Sequence, residues 1–193
     1  MTIGNRVREV EKEILKIYKV KNVKDFQDTY RLKLTLGTTY NGNVRAYLSQ
    51  VDPFHKHYTR VSSCVMELDE LEGIPSELDK NSEKLFKSMV TRRVKQQRDL
   101  EVLREIALGK ISKFIESTFK VDPRLIDDND IKWAQWSYFT FLGYNFAFTG
   151  KFVDKSFEVE EYGHKKYASM YKMVVDVKTF YERKAHIKGV IIS

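Results

Sequence analysis

The sequence predicts an α+β fold, a curved antiparallel sheet of about six or seven strands packed on an N-terminal helix and a long central helix. Apolar residues near the N-terminus recur at three- and four-residue steps, the period of an amphipathic helix. Next, Asn41-Gly42 stands between two segments of period-two alternation, the signature of a β-hairpin. A long, charged section with an apolar stripe follows, and beyond it aromatic and β-branched segments return. With 193 residues, 42% hydrophobic and 32% charged, the chain is expected to fold as a single domain over 1–193. Its core is large enough to need no disulfide.

The first helix is expected over 3–20, where Val7, Val10, Ile14, Ile17 and Tyr18 share one side. Hairpin strands are expected within 30–68. Tyr30-Arg31-Leu32-Lys33-Leu34-Thr35-Leu36 alternates as a half-buried strand should, and further strands cover 44–51 and 58–68. Pro75-Ser76 marks a helix start, and the helical section runs over 76–119. One straight helix of that length spans roughly 65 Å, so a break is expected near Gln96-Gln97 or at Gly109. Asp122-Pro123 opens an acidic loop, and a C-terminal β meander is expected over 132–192. Its strands cover 133–148, 151–162, 167–180 and 186–192, with a turn at Tyr162-Gly163-His164-Lys165. In a regular strand over 133–148, Trp136, Tyr138, Leu142, Tyr144, Phe146 and Phe148 share one face. Trp133, Phe139 and Phe141 take the other. Most of these aromatics are expected in the core, with one face lining a groove or a subunit interface.

Charge narrows the functional classes. Lys and Arg number 34 against 27 Asp and Glu, a net charge of +7 with pI near 9.3, which points to a polyanionic partner. The charge is clustered. The run KLFKSMVTRRVKQQR, 84–98, holds Lys84, Lys87, Arg92, Arg93, Lys95 and Arg98 and no Asp or Glu. On a helix Lys84, Lys87, Arg92, Lys95 and Arg98 fall within an arc of about 140°. Leu85, Phe86, Met89, Val90 and Val94 occupy the opposite half, prolonged by Leu100, Leu103, Ala107, Ile111 and Phe114. An ordinary solvated helix intersperses Glu with Lys, because each such pair stabilises by about 0.2–0.5 kcal/mol and like charges cost similar amounts. This helix bears the repulsion, and a bound polyanion would relieve it. Arg93 projects into the apolar arc, so its stem is expected to pack while its guanidinium reaches an acid or a phosphate. Tyr162, His164, Lys165, Lys166 and Tyr167 form a basic, aromatic turn suited to a phosphate backbone. The preceding segment 67–83 carries seven acidic residues against Lys80. It offers the cations a counter-surface, within the chain or in a second copy.

No catalytic residue, metal site or cofactor is assigned. Cys64 is the single cysteine, which excludes an intramolecular disulfide and a cysteine-based zinc site, and it is expected as a small buried hydrophobe. His55 and His57 could share one side of a strand and would need a third ligand to bind a metal, and His57-Tyr58-Thr59 lacks the second motif of two-histidine phosphoesterases. Asp130-Ile131-Lys132 and Glu182-Arg183-Lys184 match the (D/E)-x-K fragment of metal-dependent nucleases, without an upstream acid at a convincing distance. Glycine-rich phosphate loops and the nucleophile elbow are absent. Charges threaded through MTIGNRVREVEKEILKIYK are expected to rule out a signal peptide or membrane anchor, leaving a reducing, cytosol-like compartment. A composition rich in Lys, Tyr, Phe and Asn and poor in Ala and Pro suits an AT-rich genome, such as that of many viruses or bacteria. The expectation is a non-catalytic nucleic-acid-binding protein of low sequence specificity, favouring single strands and RNA before DNA, with no membrane partner. The first alternative is a structural protein that self-associates as a homo-oligomer through acidic-to-basic contacts. The second is a metal-dependent nuclease.

Overall fold

The structure is a computed structural model describing residues 2–54, 58–69, 77–135, 138–150, 156–161 and 170–187. The chain divides into two units, Met1–Glu101 and Val102–Ser193, taken here in turn.

Helix α1, Ile3–Tyr18, buries Val10 and Ile14 completely. It stops at Lys19, which takes the left-handed conformation with φ 52° and returns its N–H to the Lys16 carbonyl at 3.2 Å. A second helix, α2, Val23–Tyr30, was not expected from the sequence. Asn22 caps it by accepting from the Asp25 N–H at 2.8 Å, and Asp25 in turn accepts from the Lys21 N–H at 3.2 Å. This local hydrogen bonding and the fully buried Phe26 hold eight residues that lack a long periodic pattern.

The strands β1, Leu32–Thr38, β2, Val44–Val51, and β3, Tyr58–Met66, form an antiparallel sheet in that order. The expected hairpin at Asn41-Gly42 joins the first two, through residues 39–43 and not a two-residue turn, with Gly42 at φ 81° and its N–H on the Thr39 carbonyl at 3.0 Å. One sheet face presents Leu32, Leu34, Val44, Ala46 and Leu48 to a core shared with Val10, Ile14, Phe26, Phe86 and Val90. A second sheet pairs β4, Leu68–Asp69, with β5, Glu77–Leu78, so residues 77 and 78 are strand and not the first helical turn. The helix starts after Asp79, whose carboxylate accepts from the Ser82 N–H at 2.9 Å.

That helix, α3, runs unbroken from Lys80 to Phe119, 40 residues or about 60 Å. The expected breaks are absent. Gln97 is packed inside, its amide donating to Glu101 at 3.1 Å, and an exposed Gly109 costs about 1 kcal/mol relative to Ala without ending a helix. The length also serves both units, since Lys80–Glu101 belongs to the first and Val102–Phe119 to the second.

In the second unit β6, Lys132–Gln135, β7, Tyr138–Phe141, β8, Tyr144–Thr149, and β9, Glu158–Glu161, form an antiparallel meander in sequence order. The α+β class therefore holds, with the strands in three sheets and not one curved sheet. Residues 133–148 are not one strand. Leu142 and Gly143, both at positive φ (49° and 82°), turn the chain and set Phe139 opposite Phe146 and Phe141 opposite Tyr144. That register puts Phe139, Phe141, Phe146 and Phe148 together in the core, where the single-strand reading had split them between faces. Ile111, Ile115 and Phe119 of α3 are buried too, and Phe119 lies edge-on to Phe141 at 5.4 Å.

The strand expected over 167–180 is also overturned, and so is much of the meander's C-terminal half. Residues Met170–Ile187 form a helix, α4. Its Val-Val-Asp-Val run favours a strand by propensity, yet Val177, Phe180 and Lys184 follow helical spacing, and Phe180 packs on Phe141 at 5.7 Å. Tertiary burial of that stripe outweighs propensity.

Candidate nucleic-acid interface

The first half of α3 is built from its buried side outward. Phe86 and Val90 are fully inside, Met89 and Val94 half-buried, and Phe86 meets Tyr18 edge-on at 6.0 Å. Leu85, expected on the apolar side, is 61% exposed, because it projects about 100° from Phe86. Past Val90 the inward stripe becomes polar. Arg93 is half-buried and donates from Nε to the Ser62 hydroxyl at 3.2 Å and from Nη1 to the Gln96 amide oxygen at 2.6 Å. Its own carbonyl accepts from the Gln50 amide at 3.4 Å. Gln97, 1% exposed, bonds Glu101, which pairs with Arg31 at 2.9 Å. Burial first, and the neighbouring Arg92 charge second, pull the Arg93 guanidinium below its ordinary pKa; an arginine remains charged nonetheless. Arg93 thus ties α3 to the sheet.

On the opposite side, Lys84, Lys87, Arg92, Lys95 and Arg98 are all exposed. The helix brings them into one band, about 21 Å long from first to last. Lys87 is neutralised within the helix by Glu83. Among the described residues Lys84, Arg92, Lys95 and Arg98 form no ion pair. Thr91, inside the band, returns its hydroxyl to the Lys87 carbonyl at 2.9 Å. The acid nearest the far end is Asp99, which is exposed one turn beyond Lys95. Tyr162, His164, Lys165, Lys166 and Tyr167 lie outside the described residues, as do His55, His57 and most of the acidic segment.

Lys33 of β1 and Arg45 and Tyr47 of β2 stand on the face of the first sheet that points away from the core. The alternation in the two strands carried that signal, and the register (Lys33 opposite Ser49, Thr35 opposite Tyr47) completes it.

The fragments weighed for catalysis are engaged otherwise. The Asp130 carboxylate is buried between Lys184, at 2.6 Å, and Arg183, and it accepts from the Asp127 N–H at 2.9 Å. Lys132 is exposed on β6. Glu182 faces Lys178 at 3.9 Å, and Asp176 accepts from the Tyr144 hydroxyl at 3.0 Å. Among the described residues no three His, Cys, Asp or Glu side chains converge as metal ligands. Cys64 is half-buried with its sulfur 3.4 Å from that of Met66, and burial pushes its thiol pKa up, away from the reactive thiolate. Among the described residues no helix is long and apolar enough to cross a membrane. No family model, curated protein or solved structure matches the chain.

Proposed function

We propose that the outer face of α3 binds nucleic acid without catalysis, preferring single strands and RNA before DNA, with low sequence specificity. The observation that carries this reading is the set of four exposed cations, Lys84, Arg92, Lys95 and Arg98, held in one band and in no ion pair among the described residues. A rigid helix pre-pays their positioning, and phosphates relieve their mutual repulsion. Arg93 acts here as the anchor that fixes the band on the sheet, and the basic, aromatic segment 162–167 is proposed as a further contact. A reducing, cytosol-like compartment suits a chain whose one cysteine is held as a thiol.

The test is fluorescence anisotropy with labelled single-stranded RNA, single-stranded DNA and duplex DNA at about 50 and 200 mM salt. Four phosphate contacts on a single strand give log K against log salt a slope of about −3. Changing Lys84, Arg92, Lys95 and Arg98 to Gln abolishes most of that slope while the fold persists, since none of the four is buried. Failure of the wild type to bind any of the three at low salt overturns the reading. Salt-sensitive self-association in the absence of nucleic acid then becomes the explanation of the cationic band.

A further inference from the structure

Helix α1 carries a second row of cations that the α3 reading does not use. Acids and cations are interleaved along its sequence, but the fold separates them by depth. Arg8, Lys12, Lys16 and Lys19 are all exposed, whereas Glu9, Glu11 and Glu13 are half-buried. At 100° per residue the four cations fall within an arc of about 80° on the side opposite Val10 and Ile14, with the acids on either flank. The row is about 16 Å long. Lys16 meets Glu13 at 3.6 Å. Among the described residues Arg8, Lys12 and Lys19 form no ion pair.

This arrangement costs the helix stability. The spacings Arg8–Lys12 and Lys12–Lys16 are like-charge pairs four residues apart, which are unfavourable. The first turn holds no acid and Thr2 makes no side-chain cap bond, so nothing offsets the positive end of the helix dipole on the side of Arg8. The dipole favours Lys16 and Lys19, at the other end, but not Arg8. A polyanion lying along the row would relieve both costs.

Position joins this row to the band of α3. Tyr18, the last residue of α1, meets Phe86 in the second turn of α3 edge-on at 6.0 Å. The Lys19 end of one row is thereby brought near the Lys84 end of the other.

We infer that α1 extends the nucleic-acid site, so that a single strand longer than one row follows Arg8, Lys12 and Lys19 and continues onto the band of α3. The inference rests on the function proposed above. A narrow row of point charges on a rigid helix matches a linear phosphate chain. An anionic lipid surface fits less well, because the apolar stripe of α1 is turned into the core through Val10 and Ile14 and is not left to enter a membrane.

The experiment measures anisotropy across salt with labelled oligouridines of about six and about sixteen nucleotides. Wild type is compared with Arg8→Gln/Lys12→Gln/Lys19→Asn, with the four-Gln α3 variant and with the two combined, each after its thermal melt is recorded. A charge-matched control, Lys113→Gln/Lys120→Asn/Lys132→Gln, changes three exposed cations of the second unit. Asn is used at 19 and 120 because both positions have positive φ, 52° and 57°. Seven phosphate contacts give the wild type a slope of about −5 on the longer strand, against about −3 on the shorter. The α1 variant lowers the longer-strand slope by about 2 and weakens that binding about tenfold or more at low salt, while the shorter strand keeps its slope. The α3 variant retains about −2 on the longer strand, and the combined variant loses binding. Arg8→Gln/Lys12→Gln, which spares the helix end, lowers the slope by about 1.4 and guards against a triple variant that does not fold. An α1 variant that loses no more than the charge-matched control overturns this inference and leaves the α3 reading standing. So does an α1 variant that loses binding to phosphatidylserine vesicles while its hold on the longer strand is unmoved, since the row then belongs to a lipid surface. No binding of either strand by the wild type overturns both.

Discussion

Lys184 shows how one residue can fasten an element. Its side chain is 6% exposed, and burial alone pulls such an ammonium's pKa down. Hydrogen bonds from Lys184 to Asp127 and Asp130, with their charges, outweigh burial and hold the amine above its ordinary value. Asp127 is held below the usual carboxylate range, first by that hydrogen bond and then by the Asn129 N–H. The Asp127 contribution is thus complete above its unfolded pKa, about 3.9, and fades as pH falls through the lower folded value. The Lys184 contribution is complete below about pH 10.4 and fades as pH rises through its raised folded value. Lys184→Met leaves the Asp130 carboxylate inside with Arg183 as its remaining counter-charge, at a cost of roughly 3 kcal/mol near neutral pH. Urea unfolding at neutral pH measures it, and the gap from wild type narrows in acid as Asp127 protonates. A midpoint equal to wild type at pH 7 contradicts this burial. Gly150 makes a sharper demand, because its φ is 89° and an added Cβ would lie 2.6 Å from the Ser156 carbonyl oxygen. Gly150→Ala is expected to cost about 2–3 kcal/mol, read as a lowered melting temperature.

At the scale of elements, α3 separates anchoring from display across neighbouring positions. Arg93→Ala removes the bonds to Ser62 and Gln96 together with stem packing, and costs about 1–2 kcal/mol of stability. Arg92→Ala stays within about 0.5 kcal/mol, because Arg92 is exposed, and it weakens nucleic-acid binding instead. Thermal melts beside anisotropy separate the two; equal loss of stability in both variants contradicts the division. The outer band was legible from sequence because it depends only on the helical period. The place of Arg93 was legible as an exception to the stripe, but its partner Ser62 lies 31 positions away and no local pattern names it. Other elements were hidden for the same kind of reason. The helix α4 carries β-branched residues that favour a strand, and the burial of Phe180 against Phe141 decides the matter; the turn at Leu142-Gly143 lacks an Asn or Asp to announce it. The outward side of the first sheet was half legible. Alternation assigns Lys33, Arg45 and Tyr47 to sides of their strands, but pairing is needed to bring them onto one surface.

For the molecule as a whole, net charge and local charge make different claims on a polyanion. The chain carries +7, shared almost evenly: residues 1–101 hold 19 Lys and Arg against 15 acids, and 102–193 hold 15 against 12, so the sums are +4 and +3. Neither half is exceptional, and a binding that followed total charge would ignore where a charge is changed. The band on α3 predicts otherwise. Glu83 silences Lys87 at the edge of the band, whereas the exposed Glu116 lies on the part of α3 that belongs to the second unit. Glu83→Gln and Glu116→Gln each raise the net charge by the same amount. Glu83→Gln frees a fifth cation, so single-strand affinity rises several-fold at low salt and the salt slope steepens by about 0.7. Its cost to the helix is about 0.3–1 kcal/mol, since an acid is lost from the positive end of the helix dipole. Glu116→Gln leaves the slope unchanged and shifts affinity only through the long-range field, which salt screens beyond about 8 Å. Parallel titrations across salt decide between the two accounts. Equal gains from both substitutions make the interaction a property of total charge, and a gain confined to Glu83→Gln makes it a property of the helix face.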